Sequence, residues 1–272
     1  MQNNKKRDFR PNNFRTNNFR PNSSHSNSSR PNSQIVYGLH PLIEAIKSGR
    51  PIEKLLLQQG VGGELKTLAV AAGIPVQSVP AEKLQRLCGG GNHQGAVGFV
   101  SLVEYASLED LLPAVFEAGR IPLVLIFDRI TDVRNFGAMV RTAECAGVDA
   151  VVVPLQGSAP VSEDAIKTSA GALMRVSVCR SENLKTTVHF LKASGLHIIA
   201  ATEKARTAYS QADLNQPLAI IMGSEEDGVS SDLMKLCDES LYIPLQGEIE
   251  SLNVSVACGI MLFETLRQRR LS

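Results

Sequence analysis

Polar side chains that could do chemistry follow three glycine-marked turns in the C-terminal half of this 272-residue sequence. Asn135 and Arg141 lie in the first segment, Glu225 in the second, and Ser251 and Asn253 in the third. Amide, carboxylate, hydroxyl and guanidinium groups can orient a polar substrate and stabilise negative charge that develops on an oxygen. The turns contain no histidine and no GxSxG or HExxH pattern, which argues against the usual hydrolase chemistries.

Four of these five residues also have a simpler structural explanation. Ser251 and Asn253 lie where a helix is expected to begin, and Asn135 lies near the expected start of another, so all three can be N-caps. Arg141 lies about 140° around its helix from the apolar Phe136, where a solvated arginine is normal. Three such turns in one domain nevertheless favour a shared pocket over three independent caps.

The strands that precede these turns are the elements that must position them. Leu123–Phe127 is a continuous apolar run, typical of a central parallel strand buried on both faces. Leu218–Met222 precedes the second turn and Leu241–Pro244 the third. In the second turn, GSEEDGVS, a glycine and acidic residues follow a strand, as in the ligand crevices of open α/β sheets. Gly137, inside the first helix, indicates that something approaches the backbone closely there.

The preceding part of the chain predicts a smaller α/β unit. Helical and strand patterns alternate over residues 34–104, as expected of a three-layer unit, and an amphipathic helix within 105–120 predicts a linker. The main domain is then expected over 121–272. His93 and Gln94 follow a glycine run and could contact RNA, but an ordinary loop is the favoured interpretation.

The first 33 residues form a basic, repetitive arm. They contain seven basic residues and one acidic residue, a charge of +6, whereas the remainder of the chain carries −5. Phe9, Phe14 and Phe19 are five residues apart and each is followed by arginine. This composition predicts disorder. The arm could stack on bases and pair with phosphates, or it could be a solubilising tail without a specific partner.

Composition limits where the protein works. The chain is 43% hydrophobic and 20% charged, without an apolar run long enough for a membrane span and without an apolar signal after its N-terminal charges. Its five cysteines are scattered and form no CxxC pair, so neither a disulfide framework nor a zinc site is expected. These features predict a protein of the reducing cytoplasm with no membrane or metal partner.

Three sequence blocks resemble a known family. NFGAMVRTAECAGV, IIMGSEEDGVS and IPLQGEIESLNVSVACGIMLFE match, in order and spacing, the three motifs of the SpoU class of SPOUT methyltransferases. YGLHPLIEAI and NHQGAV look like the N-terminal substrate-binding module of this class, which is similar to ribosomal protein L30e. The resemblance implies a trefoil-knotted parallel sheet, S-adenosylmethionine as the cofactor and a homodimer.

The resemblance also implies roles for individual residues. The catalytic arginine falls on Arg141, and the other motif positions fall on Asn135, Glu225, Ser251 and Asn253. Cofactor contacts fall on a second set, which is Thr202, Gly223, Ile243 and Leu252. The sequence departs from the family motif at Glu226, where the motif often has glycine. Two adjacent glutamates are therefore candidates for the motif position, and the alignment favours Glu225.

The expected reaction is 2′-O-methylation of a ribose in RNA, with a guanosine of 23S ribosomal RNA favoured. Transfer RNA is the alternative substrate, and a non-catalytic RNA-binding or ribosome-assembly protein is the alternative from another class. Because guanidinium stays protonated, we expect Arg141 to bind phosphate and stabilise the developing alkoxide rather than act as a base. The last helix is apolar on two sides, which predicts burial against its own sheet and against a partner chain.

Overall fold

The computed structural model describes residues 35–271. The disordered arm predicted over residues 1–33 lies outside the described residues. Within the described part, no helix has both the length and the apolar character that crossing a bilayer would require.

The N-terminal module alternates short strands and helices. In chain order these are β1 (Ile35–Tyr37), α1 (Leu39–Lys47), β2 (Ile52–Gln58), α2 (Gly63–Ala71), β3 (Val76–Val79), α3 (Ala81–Leu87) and β4 (Ala96–Val100). The strands form a sheet in the order β1-β4-β2-β3, in which β2 and β3 are parallel and the other neighbours are antiparallel.

Helices cover both faces of this smaller sheet. Successive residues of β2 point to opposite faces, as the pleat of a strand requires. Leu55 belongs to a core cluster with Leu42 of α1 and Leu65 of α2, whereas Leu56 belongs to a cluster with Leu84 of α3. The predicted three-layer α/β unit is therefore confirmed.

The remainder of the chain forms a larger parallel sheet with helices on both faces. Its elements are β5 (Tyr105–Ala106), α4 (Leu108–Glu117), β6 (Leu123–Phe127), α5 (Val133–Cys145), β7 (Ala150–Pro154), α6 (Glu163–Thr168), β8 (Ser177–Ser181), α7 (Leu184–Ala193), β9 (His197–Ala201), β10 (Thr207–Ala208), β11 (Leu218–Met222), α8 (Ser231–Met234), β12 (Glu239–Tyr242) and α9 (Val254–Leu271). Within residues 35–271 this sheet has eight strands in the order β10-β12-β9-β11-β6-β7-β8-β5.

Strand β6 is a central strand, as its apolar run predicts. All five of its residues are buried, because helices cover the sheet on both sides. Leu125 and Phe127 belong to the core under α5, where Phe127 and Phe136 make an edge-to-face contact with ring centroids 5.4 Å apart. Ile126 belongs to the opposite core with Val188 of α7. The parallel sheet is confirmed, whereas the trefoil knot stays a prediction.

The predicted linker, residues 105–120, packs on the larger sheet. Tyr105 and Ala106 pair in parallel with Val178 and Cys179 of β8. Leu108 and Leu112 of α4 contribute to the same core as Val188. The segment thus forms an edge strand and a covering helix, although the domain boundaries at 34–104, 105–120 and 121–272 stay predictions.

The close approach expected at Gly137 is made by the protein's own backbone and side chains. A Cβ atom at Gly137 would lie 2.0 Å from Oγ1 of Thr168 and 3.0 Å from the backbone nitrogen of Ser169. Only a glycine lets α5 and the end of α6 come this close. The presence of Gly137 is therefore explained by helix packing.

Candidate active site

The first two turns meet because their strands are neighbours. Strands β6 and β11 run parallel in register, with Phe127 opposite Met222. Parallel strands end at the same edge of a sheet, so the segments that follow them must lie side by side. The backbone N–H of Asp128 donates to the carbonyl oxygen of Met222 at 2.9 Å, which continues the pairing into the turns.

The third turn joins them through the last helix. Helix α9 packs beside α5, where Gly259 lies against Thr142, and Cys258 and Met261 of α9 enter the core that Phe136 occupies. This packing places the beginning of α9 next to the beginning of α5. Three segments that are distant in sequence thus meet at the edge of the sheet.

Two amides and a carboxylate form a hydrogen-bonded triangle at this meeting point. Nδ2 of Asn135 donates to Oε1 of Glu225 at 2.8 Å, and Nδ2 of Asn253 donates to the same oxygen at 2.9 Å. Nδ2 of Asn253 also lies 3.0 Å from Oδ1 of Asn135. Both adjacent glutamates are exposed, and of the two Glu225 is the one that makes these contacts.

The expectation that Asn135 caps its helix is wrong. Helix α5 begins at Val133, and its N-cap is Asp132, whose Oδ1 accepts from the backbone N–H groups of Arg134 at 2.7 Å and Asn135 at 3.1 Å. These hydrogen bonds hold the pKa of Asp132 below its usual range, and the bond from Asn135 has the larger effect of the two. Since Asp132 caps the helix, the side chain of Asn135 is available for Glu225.

Asn253 combines both interpretations that the sequence left open. Its Oδ1 accepts from the backbone N–H of Ser255 at 3.0 Å, so it caps the first turn of α9. Its Nδ2 makes the contacts with Glu225 and Asn135. One amide group therefore serves as helix cap and as part of the site through different atoms.

Glu225 lies in a tightly folded loop, residues 223–230, which we call the acidic loop. A Cβ atom at Gly223 would lie 2.0 Å from the carbonyl carbon of Gly228 and 2.1 Å from the backbone nitrogen of Val229. The N–H of Gly228 donates to the carbonyl oxygen of Ser224 at 2.9 Å, and Gly228 has a φ of +69°. The backbone closes on itself here, so residue 223 must be glycine.

The predicted cofactor residues surround one cavity beside the triangle. The cavity has a volume of about 260 Å³, and its lining includes Thr202, Gly223, Ile243 and Leu252. A neighbouring cavity of about 240 Å³ includes Asn135 in its lining. Both cavities include Glu225 and Val254, so the triangle lies where they adjoin.

Ser251 and Arg141 are placed differently from the triangle. Ser251 is exposed and lines the larger cavity. Arg141 is exposed on α5 and is not among the lining residues of either cavity. The single chain therefore brings Asn135, Glu225 and Asn253 into contact but does not bring Arg141 into contact with them.

The site also contains residues that the sequence did not single out. Asp132 was detectable, because an aspartate three positions before Asn135 is a favoured N-cap. Asp128 and Arg129 gave no local signal, since their partners lie about a hundred residues later in the chain. Among residues 35–271, no group of three or more His, Cys, Asp and Glu side chains is arranged to hold a metal ion.

The fold and site define a class of protein: a parallel α/β domain with a ligand cavity at the carboxyl ends of its strands, preceded by a separate α/β module. The family profile of the SpoU rRNA methylase family matches residues 122–263. A second profile, for RNA 2′-O ribose methyltransferase substrate binding, matches residues 35–106. The chain belongs to the SpoU methylase family, and the resemblance of its three sequence blocks is confirmed.

Similar proteins extend the match over most of the chain. A protein assigned to the TrmH family of tRNA/rRNA methyltransferases in Staphylococcus saprophyticus is 35% identical over 239 residues, which cover 86% of this chain and 96% of that protein. The AdoMet-bound rRNA methyltransferase of Sinorhizobium meliloti is 26% identical, covers 86% of each chain and gives a TM-score of 0.56. The TrmH/SpoU tRNA modifying enzyme of A. aeolicus is 28% identical, covers 60% of this chain and 85% of its own, and gives a TM-score of 0.52. The chain is thus an RNA methyltransferase of the SpoU/TrmH family.

Proposed function

We propose that this protein transfers a methyl group from S-adenosylmethionine to the 2′-hydroxyl of a guanosine ribose in 23S ribosomal RNA. The observation that carries the proposal is the triangle of Asn135, Glu225 and Asn253 at the rim of a cavity. It supplies fixed polar groups beside a ligand cavity and needs no metal or covalent nucleophile. Such a site suits a reaction that depends on positioning.

The larger cavity suits the cofactor in shape and charge. Apolar side chains such as Met222, Ile243 and Leu252 can cover an aromatic ring. Among its described lining residues, five are acidic and one, Lys204, is basic, which favours a ligand with positive charges. When bound, S-adenosylmethionine supplies a sulfonium-activated methyl group. Thr202, Gly223, Ile243 and Leu252 would hold it.

The triangle is proposed to orient the ribose. Glu225 accepts both amide donors on one oxygen and leaves its second oxygen for a substrate hydroxyl. Because Asn135 and Asn253 fix this carboxylate, it loses little freedom when RNA binds. Ser251, on the cavity wall, is a second hydroxyl that can contact substrate.

Arg141 is proposed to act as a fixed positive charge. Guanidinium is too weakly acidic to give up its proton in a protein, so a role as general base is disfavoured. A forked donor can instead bind the phosphate next to the target ribose and stabilise the negative charge that would develop on the 2′-oxygen. In the transfer the hydroxyl proton would pass to solvent, and the methyl carbon would bond to that oxygen as its bond to the cofactor sulfur breaks. Arg141 is exposed and so remains accessible to RNA.

The two-module chain favours ribosomal RNA over transfer RNA. The match with the Sinorhizobium rRNA enzyme covers 86% of this chain and therefore extends into the N-terminal module. The match with the A. aeolicus tRNA enzyme covers 60%. An RNA that contacts both modules is the expected substrate.

A homodimer is part of the proposal. Val256 and Phe263 lie seven residues apart on one side of α9 and are 51% and 49% exposed, and Leu252 before the helix is 38% exposed. The opposite side of α9 is buried in its own core through Cys258 and Met261. An exposed apolar stripe beside the site is a suitable surface for a second copy.

The test is methyl transfer to defined RNAs. With tritiated S-adenosylmethionine, we expect label in 23S ribosomal RNA and, after nuclease digestion, 2′-O-methylguanosine. Arg141→Ala should lower turnover by about 100-fold or more. Arg141→Lys should restore little of the turnover, because lysine lacks the paired N–H donors of the guanidinium group. Arg175→Ala, which removes an exposed arginine of a surface ion pair, is the matched control.

Two outcomes would contradict the proposal. Label confined to transfer RNA would establish the alternative substrate. Cofactor binding without label in either RNA would indicate a non-catalytic RNA-binding protein.

A further inference from the structure

We propose that Arg129 is a positioning residue, which holds the acidic loop against the end of β6 and thereby places Glu225 opposite Asn135 and Asn253. The inference rests on the proposed function for its effect on catalysis. Its structural part, the restraint of the acidic loop, can be measured separately.

The guanidinium of Arg129 binds the acidic loop at two points. Nη1 donates to Oδ2 of Asp227 at 2.9 Å, and Nη2 donates to the carbonyl oxygen of Gly228 at 2.9 Å. These residues come immediately after Glu225 and Glu226. Arg129 therefore fixes both a side chain and a backbone atom of the segment that carries the site carboxylate.

Asp128 binds both the guanidinium of Arg129 and the end of the acidic loop. Its carboxylate is buried, accepts from Nε of Arg129 at 3.2 Å, and accepts from the backbone N–H of Ser230 at 2.6 Å. Asp128 thus orients the guanidinium and holds the end of the acidic loop. Two consecutive residues after β6 restrain residues 227 to 230.

The backbone of Arg129 indicates that this arrangement is enforced. Arg129 has a φ of +62°, in the left-handed region that a residue with a Cβ atom rarely adopts. Such a conformation persists only where surrounding contacts fix it. Here the contacts are the three hydrogen bonds of the guanidinium.

The restraint reaches Glu225 through the closed shape of the acidic loop. The backbone of Gly223 lies against that of Gly228 and Val229. A shift at Asp227 or Gly228 must therefore also move residues 224–226, which include Glu225. Each of the three nitrogens of the Arg129 guanidinium donates to an acceptor within the protein, on Asp128, Asp227 or Gly228. The side chain is 38% exposed. These contacts favour a positioning role over direct binding of RNA.

The kinetic test is a double-mutant cycle between Arg129 and Glu225. We expect Arg129→Gln to lower kcat by about 10- to 100-fold, since small misplacements of site groups have effects of this size, with KM for RNA little changed. In a Glu225→Ala background, Arg129→Gln should have almost no further effect. Arg129→Lys, which keeps the charge near Asp227, should restore part of the activity.

Either of two kinetic results would overturn the proposal. Losses that multiply in the double variant would show that Arg129 acts independently of Glu225. A raised KM for RNA with kcat retained would identify Arg129 as a substrate ligand.

Hydrogen exchange gives a readout that does not depend on activity. In Arg129→Gln, the amides of Asp227, Gly228 and Ser230 should exchange faster, while the melting temperature and the exchange of β6 stay near those of the unmodified protein. Arg175→Gln is the control. Unchanged protection of the acidic loop in Arg129→Gln would refute the positioning role even if the unmodified protein methylates RNA. Faster exchange in Arg129→Gln, together with an unmodified protein that methylates no RNA, would refute only the proposed function.

Discussion

At the scale of single residues, the site is built from side chains that serve local structure and function together. Asp132 caps α5 and thereby frees Asn135, while Asn253 caps α9 with its oxygen and contacts Glu225 with its nitrogen. Each orphan N–H at a helix start needs an acceptor. Capping is therefore a condition for the site and not an alternative to it.

The neighbouring glutamates offer a matched pair of variants. Glu225→Ala removes the acceptor of two amide donors and should lower kcat about 10- to 100-fold, since the amides then lose their fixed orientation. Glu226→Ala, with the same change one residue later, should cause a much smaller loss. Single-turnover methyl transfer measures both, and equal losses would show that the triangle does not orient the reacting groups.

The cap at Asp132 predicts a specific dependence of stability on pH. Its pKa is lowered in the folded protein by N–H groups of Asn135 and Arg134, so its carboxylate favours the folded state above the unfolded pKa of about 3.9. That contribution is lost as pH falls through the lower, folded pKa. Asp132→Asn should therefore be less stable than the unmodified protein at pH 7 in urea unfolding, and the difference should shrink in acid. A difference that does not change with pH would refute this assignment.

At the scale of elements, close packing of helices determines where the site groups meet. Helix α5 is held between α6, which approaches at Gly137, and α9, which approaches at Thr142. The apolar stripe of α5 was readable from the sequence, because Phe136, Met139, Val140 and Ala143 recur at helical spacing and all are buried. Its two neighbours were not readable, because periodicity identifies a buried face without naming what covers it.

Two glycines in these helices should respond differently to the same change. In Gly137→Ala the new methyl group would meet Thr168 and Ser169, and overpacking of this kind costs about 1–3 kcal/mol. In Gly259→Ala it would lie 3.6 Å from Cγ2 of Thr142, an ordinary contact. We expect the urea midpoint to fall for Gly137→Ala and to stay level or rise for Gly259→Ala. A similar fall in both would show that the approach of α6 is not the cause.

At the scale of the whole molecule, a polar junction ties the N-terminal module to the larger sheet. Arg180 of β8 pairs with Glu53 of β2, and its guanidinium lies 4.2 Å from the ring centroid of Tyr105. Burial and the nearby Glu53 carboxylate raise the pKa of Tyr105, so its hydroxyl stays protonated and donates to Glu53. The junction therefore joins the module that is expected to bind RNA to the sheet that carries the site.

The proposed dimer can be tested on the exposed side of α9. Phe263→Glu places a charge on the apolar stripe and should convert a dimer into a monomer in light scattering at micromolar concentration. Phe116→Glu changes a phenylalanine of similar exposure on α4, 41% against 49%, and should leave the dimer intact. A monomeric unmodified protein, or dimers in both variants, would contradict the assignment of this surface.

The sequence by itself determined the alternating elements, the central strand Leu123–Phe127 and the family, because local periodicity, turn residues and motif order are written along the chain. It also pointed to Asn135, Glu225 and Asn253. Only the tertiary structure decided that α6 explains Gly137 and that Arg129 binds the acidic loop. These facts depend on contacts between residues far apart in sequence, and no local pattern encodes which distant partner a side chain will meet.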